Sequence, residues 1–371
     1  MVPADNDAPQ ANDAREAELT RHRDAIDALD REILTRLNAR AAHAQAIGAL
    51  KSGGGGAAYR PEREAQILSR LGAENGGPLP NESVTGVFRQ IMSACLALEQ
   101  RLRIAYLGPA GTFSHAAVAR HFGQFVDAVP YATIDDVFRA GESGQTDYAV
   151  APVENSTEGA VGRTLDLMCQ TDLSICGEIK LRVQQNLLSN AGETAKVTRV
   201  YSHAQSLAQC AQWLAKHLPL VPRVAVASNA EAARLAAAEP TAAAIAGEIA
   251  AAIYQLAVLA QHIEDEPNNT TRFWVLGRQA VAPSGRDETS LVMSAPNRPG
   301  AVHALLEPFA RHGVSMTRFE SRPARTGLWE YLFFVDLVGH REDPPVAAAL
   351  AELAQKAPFL KLLGSYPAAL S

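Results

Sequence analysis

The sequence predicts a multidomain chain: an all-α unit, then an α/β unit, then a smaller α+β unit. Three observations predict it. Apolar residues recur every three or four positions as far as Arg101, strand and helix patterns then alternate to Gly277, and the last stretch reads strand, helix, strand, strand, helix, strand. A length of 371 residues, at roughly 100–200 residues per domain, allows several domains. A hydrophobic content of 47% against 20% charged supports sizeable cores and excludes disordered, collagenous and disulfide-stapled classes.

The 34 Lys and Arg against 40 Asp and Glu give a formal charge of −6. No long Lys/Arg run appears, so neither nucleic acid nor an anionic membrane is an expected partner. Small anions would need local pockets instead. Cys95, Cys169, Cys176 and Cys210 form no CxxC and sit at no metal-ligand spacing with histidine. They read as small buried apolar residues, and no metal is expected. Residues 1–18 are polar and acidic, unlike a secretory or transit signal, and read as a disordered tail. No apolar run approaches the roughly 18 residues of a membrane span, so the chain reads as cytoplasmic.

Within residues 19–101, Ile26, Leu29, Ile33, Leu37, Ala44 and Ile47 lie on one helical face. Gly53–Gly56 ends that helix on entropic grounds, Pro61 opens a second, and Asn81 caps a third. So thin a core suggests that the unit dimerises. Arg40 and Lys51, eleven positions apart, point to one side at about 100° per residue. Arg23 lies about a quarter-turn away from Arg40. Arg63-Glu64 opens the second helix, and Glu99 ends the third.

RDAIDALDREILTRLNAR, Lys51, YRPERE and IMSACLALEQ together resemble the all-helical chorismate mutase domain. The resemblance implies that Arg23 of the partner subunit joins Arg40, Lys51, Arg63 and Glu64 around chorismate. No cofactor is needed. The rearrangement is intramolecular, so the site holds a dicarboxylate diaxially and stabilises charge on the ether oxygen. Arginines clamp the carboxylates, Lys51 donates to the ether oxygen, and Glu64 accepts from the substrate hydroxyl. Some members carry Gln at the position of Glu99 and a hydroxyl residue at Cys95. An acid at 99 helps only when protonated. The four-glycine loop is unusual beside typical members and bears on how firmly Lys51 is held.

From Arg103, strands are expected near 103–107, 147–152, 174–183, 197–202, 223–227, 242–245 and 272–277, with mainly parallel pairing, as one domain or two lobes around a cleft. Four polar turns follow strands: GPAGTFSH (108–115), PVENSTEG (152–159), YSHAQSLAQC (201–210) and NNTTRFWVLG (268–277). The first three lead into helices, whose N-termini attract carboxylates. A lone GxxGT turn reads as a simple helix cap. Together, over 103–280 and including ASNAEAARLA and AIAGEIAAAIYQLAVL, they resemble prephenate dehydratase, whose two α/β lobes are similar to a type II periplasmic binding protein. The resemblance makes Thr271 of T-R-F essential, with Arg272 and Phe273 completing the motif. Loss of CO₂ and hydroxide from prephenate needs a proton or strong hydrogen bond. A threonine hydroxyl is a weak acid, so a polarising hydrogen bond is favoured, relayed from Glu154 or from water. Thr112, Ser114, Asn155, Ser156, Ser202, His203 and Gln205 are the candidate substrate contacts. His203 is equally readable as holding its turn.

After a polar linker, residues 288–368 have the βαββαβ order of the ferredoxin-like fold, which often pairs edge-to-edge with a copy of itself. NRPGAV and ESRP resemble the phenylalanine-binding ACT domain of these dehydratases, with Gly300-Ala301-Val302 in place of GAL. The resemblance implies an effector site at Asn297, Arg298, Pro299, Gly300, Ala301, Val302, Glu320, Ser321, Arg322 and Pro323, and feedback inhibition by L-phenylalanine. The expected function is therefore that of a homodimeric or homotetrameric bifunctional enzyme taking chorismate through prephenate to phenylpyruvate. Two alternatives stand beside it, an arogenate dehydratase with a mutase domain and a non-catalytic amino-acid sensor. Helices serving only for dimerisation are disfavoured by Arg23, Arg40, Lys51, Arg63 and Glu64; the intact T-R-F argues against a sensor.

Overall fold

The computed structural model describes residues 8–52, 59–296, 298–324 and 331–369. Three helices come first, α1 (Ala8–Ser52), α2 (Pro61–Glu74) and α3 (Asn81–Ala97). The expected disordered tail is corrected from Ala8 onward: Ala, Gln, Arg and Glu dominate residues 8–18, and these are strong helix formers. Pro61 occupies the first turn of α2, where its missing N–H costs nothing. The Gly53–Gly56 loop lies outside the described residues.

Packing divides the helices between two compact units. α1 with residues 94–100 forms one; residues 59–93 and everything from Arg101 form the other. Within the larger unit, α2 and the first part of α3 are joined to the α/β region. Tyr59 Oη meets His121 Nε2 at 3.0 Å, and the backbone N–H groups of Gln124 and Phe125 donate to Gln90 and Ser93. Burial pushes His121 down to about 3, so it stays neutral in this contact.

The first lobe comprises β1 (Arg103–Leu107), α4 (Phe113–Phe122), β2 (Asp127–Tyr131), α5 (Ile134–Ser143), β3 (Tyr148–Asn155), β4 (Gly159–Ala160), α6 (Gly162–Met168) and β5 (Ser174–Arg182). The chain then crosses to a second lobe of β6 (Asn186–Ser189), β7 (Arg199–His203), α7 (Ala204–Gln209), α8 (Ala211–His217), β8 (Arg223–Val226), α9 (Asn229–Ala238), β9 (Ala242–Ala246), α10 (Glu248–Tyr254) and β10 (Ala257–Ala260). It returns through β11 (Thr270–Gly277). The sheet orders are β2-β1-β3-β11-β5, with β4 beside β3, and β10-β6-β9-β7-β8.

Mainly parallel pairing was the expectation; both sheets are mixed. β1, β2 and β3 run parallel, as do β7, β8 and β9, but β11 is antiparallel to β3 and β5, and β6 to β9 and β10. The cause is the double crossover, because a strand that re-enters a sheet from the other lobe arrives from the opposite end. The two crossing segments are stitched together where Val183 N–H donates to Asn269 O and Ile263 N–H to Gln185 O, each at 2.8 Å.

The last module contains β12 (Asp287–Ala295), α11 (Ala301–Arg311), β13 (Met316–Pro323), β14 (Tyr331–Val338), α12 (Pro344–Lys356) and β15 (Phe359–Pro367), in sheet order β13-β14-β12-β15. Alternation along its strands serves two cores. Leu291, Met293, Phe333, Val335 and Leu337 pack under α11 and α12, whereas Val292, Phe334, Leu363 and Tyr366 join the core of the first lobe. Gly364 permits the closest approach: a Cβ there would stand 2.3 Å from the carbonyl oxygen of Ile175 on β5.

Candidate active sites

The two lobes enclose a cleft of about 540 Å³. Helix N-termini border it on both sides, those of α4 at Thr112–Ser114, α6 at Val161, α7 at His203–Gln205 and α9 at Ser228–Asn229. Each presents first-turn backbone N–H groups and the positive end of a dipole, the combination that receives carboxylates. Among the described residues no lysine or arginine lines this cleft, and its acid and imidazole are Glu158 and His203. The cleft thus offers an anion backbone N–H donors rather than a side-chain cation.

Thr271 on β11 stands opposite Asn155 on β3, and both line the cleft. The Asn155 Oδ1 accepts from the backbone N–H of Thr157 at 3.1 Å and of Glu158 at 3.3 Å. Its nitrogen is therefore the outward donor, to Thr271 Oγ1 at 2.9 Å and Asn269 Oδ1 at 2.7 Å. With its oxygen accepting from Asn155, the Thr271 hydroxyl keeps its own hydrogen for a ligand.

The neighbouring pair faces the other way. Arg272 and Glu154 are also cross-strand partners, but strand alternation turns them from the cleft toward the C-terminal module. Arg272 contacts Glu178 at 2.6 Å, Asp336 at 2.5 Å, Glu288 at 3.5 Å and Tyr366 Oη at 3.2 Å. Burial alone would lower its basicity; Tyr366, Asp336 and Glu178 raise it. Glu154 pairs with Arg318 at 3.1 Å. This corrects the expectations for both: neither the cation of T-R-F nor the relay acid reaches the cleft. Phe273 is buried in the sheet interior and is absent from the lining.

Of the remaining expected contacts, Thr112, Ser114, His203 and Gln205 line the cleft. Thr112 also caps α4, accepting from His115 N–H at 3.4 Å. His203 holds the N-cap position of α7 without a side-chain cap bond. Ser156 and Ser202 are corrected to supporting roles. Ser156 accepts from Thr270 N–H at 3.0 Å, and Ser202 is fully buried 3.1 Å from Asn229 Oδ1 and 2.9 Å from Ile245 O. Sequence reasoning missed Asn269, Gln209, Gln185 and Asn229, which complete the wall. Asn269 Nδ2 and Gln209 Nε2 are buried donors with no hydrogen-bond partner among the described residues. Both lie inside the polar turns already singled out, and Asn229 follows Ser228, which accepts from Glu231 N–H in a capping pattern legible in sequence.

In the helical region, Arg23 is exposed and Arg40 half-buried on α1, while Glu99 lies against Gly48, where a Cβ would meet its Oε2 at 2.7 Å. Lys51 falls in the last turn of α1; its side chain lies outside the described residues. On α2, Arg63 is exposed and Glu64 pairs with Arg89 at 3.2 Å. Burial pushes the Glu64 carboxyl up and Arg89 draws it down. Glu64 is thus an engaged acceptor, and Arg89 is a partner that sequence reasoning passed over.

Three protein-family models match in chain order: chorismate mutase type II over residues 22–100, prephenate dehydratase over 104–281 and the ACT domain over 289–355. The chain is 57% identical over 351 residues to the bifunctional chorismate mutase/prephenate dehydratase of Neisseria gonorrhoeae, covering 94% of this chain and 96% of that one. The chain belongs to the bifunctional chorismate mutase/prephenate dehydratase family. Among solved structures it is similar to a prephenate dehydratase from Arthrobacter aurescens in complex with L-Phe, with TM-score 0.66 and 34% identity, covering 72% of this chain and 90% of that one. It is also similar to GqqA, described as a novel type of quorum quenching acylase, with TM-score 0.67 and 31% identity, covering 72% of this chain and 98% of that one. One fold thus hosts more than one chemistry, and the cleft side chains carry the functional reading.

In the ACT module, Asn297 lies outside the described residues. Arg298, Pro299 and Gly300 form the turn into α11, with Gly300 at φ 77; Ala301 is buried and Val302 packs on the module core. Along β13, Ser321 and Pro323 are exposed, while Glu320 and Arg322 turn to the dehydratase side. Arg322 pairs with Asp166 at 3.0 Å, and Glu320 with Arg318. Alternation therefore splits ESRP between two faces and withdraws its charged members from the expected effector contacts.

Proposed function

We propose that the mutase region rearranges chorismate to prephenate, that the cleft converts prephenate to phenylpyruvate, and that L-phenylalanine bound to the ACT module inhibits the second step. The observation that carries the dehydratase reading is the meeting of Thr271 with helix N-termini in a cleft free of side-chain cations among the described residues. Prephenate carries two carboxylates, and the N–H donors of α4, α7 and α9 suit them. The Thr271 hydroxyl, turned outward by Asn155, donates to the departing ring hydroxyl as CO₂ leaves. Asn269 Nδ2 and Gln209 Nε2 are the further donors we assign to the substrate. For the rearrangement we assign Arg40, Lys51, Arg63, Glu64 and Glu99, with Arg23 of the partner subunit.

Further readings belong to the same proposal. Domain boundaries fall at 19–101, 103–280 and 288–368. Leu19, Ile26, Leu29, Ile33 and Leu34 of α1 are 46–61% exposed, which favours a homodimer or homotetramer built on that helix. Among the described residues no helix is long and apolar enough to cross a membrane and the cysteines are unpaired, which suits a cytoplasmic enzyme. The deciding experiment feeds chorismate, prephenate and arogenate separately, each with and without L-phenylalanine, and follows products. Phenylpyruvate from the first two, suppressed by L-phenylalanine, is expected. Turnover of arogenate in preference to prephenate, or no turnover of either, overturns it.

A further inference from the structure

β3 and β11 form a two-faced strand pair. On one face Asn155 and Thr271 meet in the cleft; one residue along, on the other face, Glu154 and Arg272 are gripped by the ACT module. The Arg272 side of the grip is buried, whereas the Glu154 carboxylate is 38% exposed beside the buried Arg318. Asp336 spends Oδ2 on Arg272 and Oδ1 on Ser290 Oγ, both at 2.5 Å, and Ser290 meets Tyr366 Oη at 2.7 Å. The side chains of Asp336 and Arg318 are 3% and 9% exposed, so neither exchanges its partner for water at little cost. Arg318 also pairs with Glu320 of ESRP, making an unbroken chain Glu320–Arg318–Glu154 that ends beside Asn155.

We propose that Arg272 and Glu154 are positioning residues for the dehydration: through Asp336 and Arg318, the seat of the ACT module sets the pitch of the β3–β11 pair, and with it the direction in which Thr271 presents its hydrogen. The register with β3 shifts just after Arg272, so a displacement of Arg272 turns the Thr271 peptide locally rather than sliding the whole ladder. Because Arg318 bridges Glu154 to Glu320, a ligand that reseats the module changes the cleft without touching it. This coupling arm rests on the reading that the module binds L-phenylalanine.

The test uses the full chain in three variants, Asp336→Asn, Arg318→Gln and Lys361→Met. Lys361 donates to the carbonyls of Met168 and Thr171, joining module to lobe away from β3 and β11. Dehydratase kcat and KM, L-phenylalanine binding by calorimetry, and inhibition are measured, with mutase turnover as the check on folding. The expected result is a fall in kcat of about fivefold or more for Asp336→Asn and Arg318→Gln, with KM within about twofold and inhibition weakened although L-phenylalanine still binds. Lys361→Met keeps kcat and inhibition. If all three variants behave alike, or only KM moves, the pairs are mere adhesive and the proposal is overturned. If the wild type binds no L-phenylalanine, the regulatory reading falls and the kcat comparison still decides the positioning role. Should one of the two variants not fold, the other decides.

Discussion

The Asn155 amide donates to Thr271 Oγ1 at 2.9 Å, and two backbone N–H groups on Asn155 Oδ1 leave it no alternative orientation. A hydroxyl that accepts from Asn155 keeps its own hydrogen to donate into the cleft. Asn155→Asp reverses this, because a carboxylate accepts the threonine hydrogen. Its dehydratase kcat should fall by about 10²-fold, the loss seen when one oriented donor is removed. Steady-state kinetics on prephenate, with mutase turnover unchanged, checks it; a wild-type kcat refutes the orientation argument.

Thr271→Ala should abolish dehydration while leaving the rearrangement of chorismate nearly intact, because the two sites share no residue. Separate assays on chorismate and prephenate decide. Simultaneous loss of both activities would show that the sites are not independent.

Asn269 lines the cleft, its Nδ2 is buried without a hydrogen-bond partner among the described residues, and its Oδ1 is held by Asn155. Asn269→Leu should raise KM for prephenate by roughly tenfold, the worth of one hydrogen bond to a charged group. Unchanged KM with unchanged kcat removes Asn269 from the substrate wall.

In the role proposed for Glu99, a side chain that donates to the ether oxygen assists and an ionised carboxylate repels it. Glu99→Gln should therefore retain or raise mutase turnover, because the amide N–H donates at that position. A large loss of turnover on chorismate in Glu99→Gln rules the role out.

Burial, with Glu178 and Asp336 nearby, pushes the Glu288 carboxyl above the usual carboxylate range although Arg272 lowers it. A group whose folded value is raised stabilises the fold at low pH and loses that contribution as pH rises through the folded value. Glu288→Gln should gain thermal stability relative to wild type as pH rises above the ordinary carboxylate range. Melting curves at a series of pH values test the sign.

Gly364→Ala places a Cβ against the Ile175 carbonyl and should cost about 1–3 kcal/mol or more, since backbone rather than a mobile side chain stands in the way. Denaturant titration measures it, and loss of inhibition at retained mutase turnover would trace the damage to the ACT docking.

The sequence alone determined the order of the three domains, their chemistry and most of the cleft turns. Periodicity, glycine and proline punctuation, and strand-turn-helix motifs are local properties, readable along the chain. Thr112, Ser114, Asn155, His203, Gln205 and Thr271 were legible for that reason. Only the tertiary structure decided which face each residue serves. Thr271 and Arg272 are neighbours in one motif, yet strand alternation sends one to the cleft and the other to Asp336, 64 residues away. The same alternation turns Glu154 to Arg318 and divides ESRP. Which side of a strand meets a cleft depends on what packs against each side, and those partners, brought together by two crossovers and a docked module, lie far off in the chain.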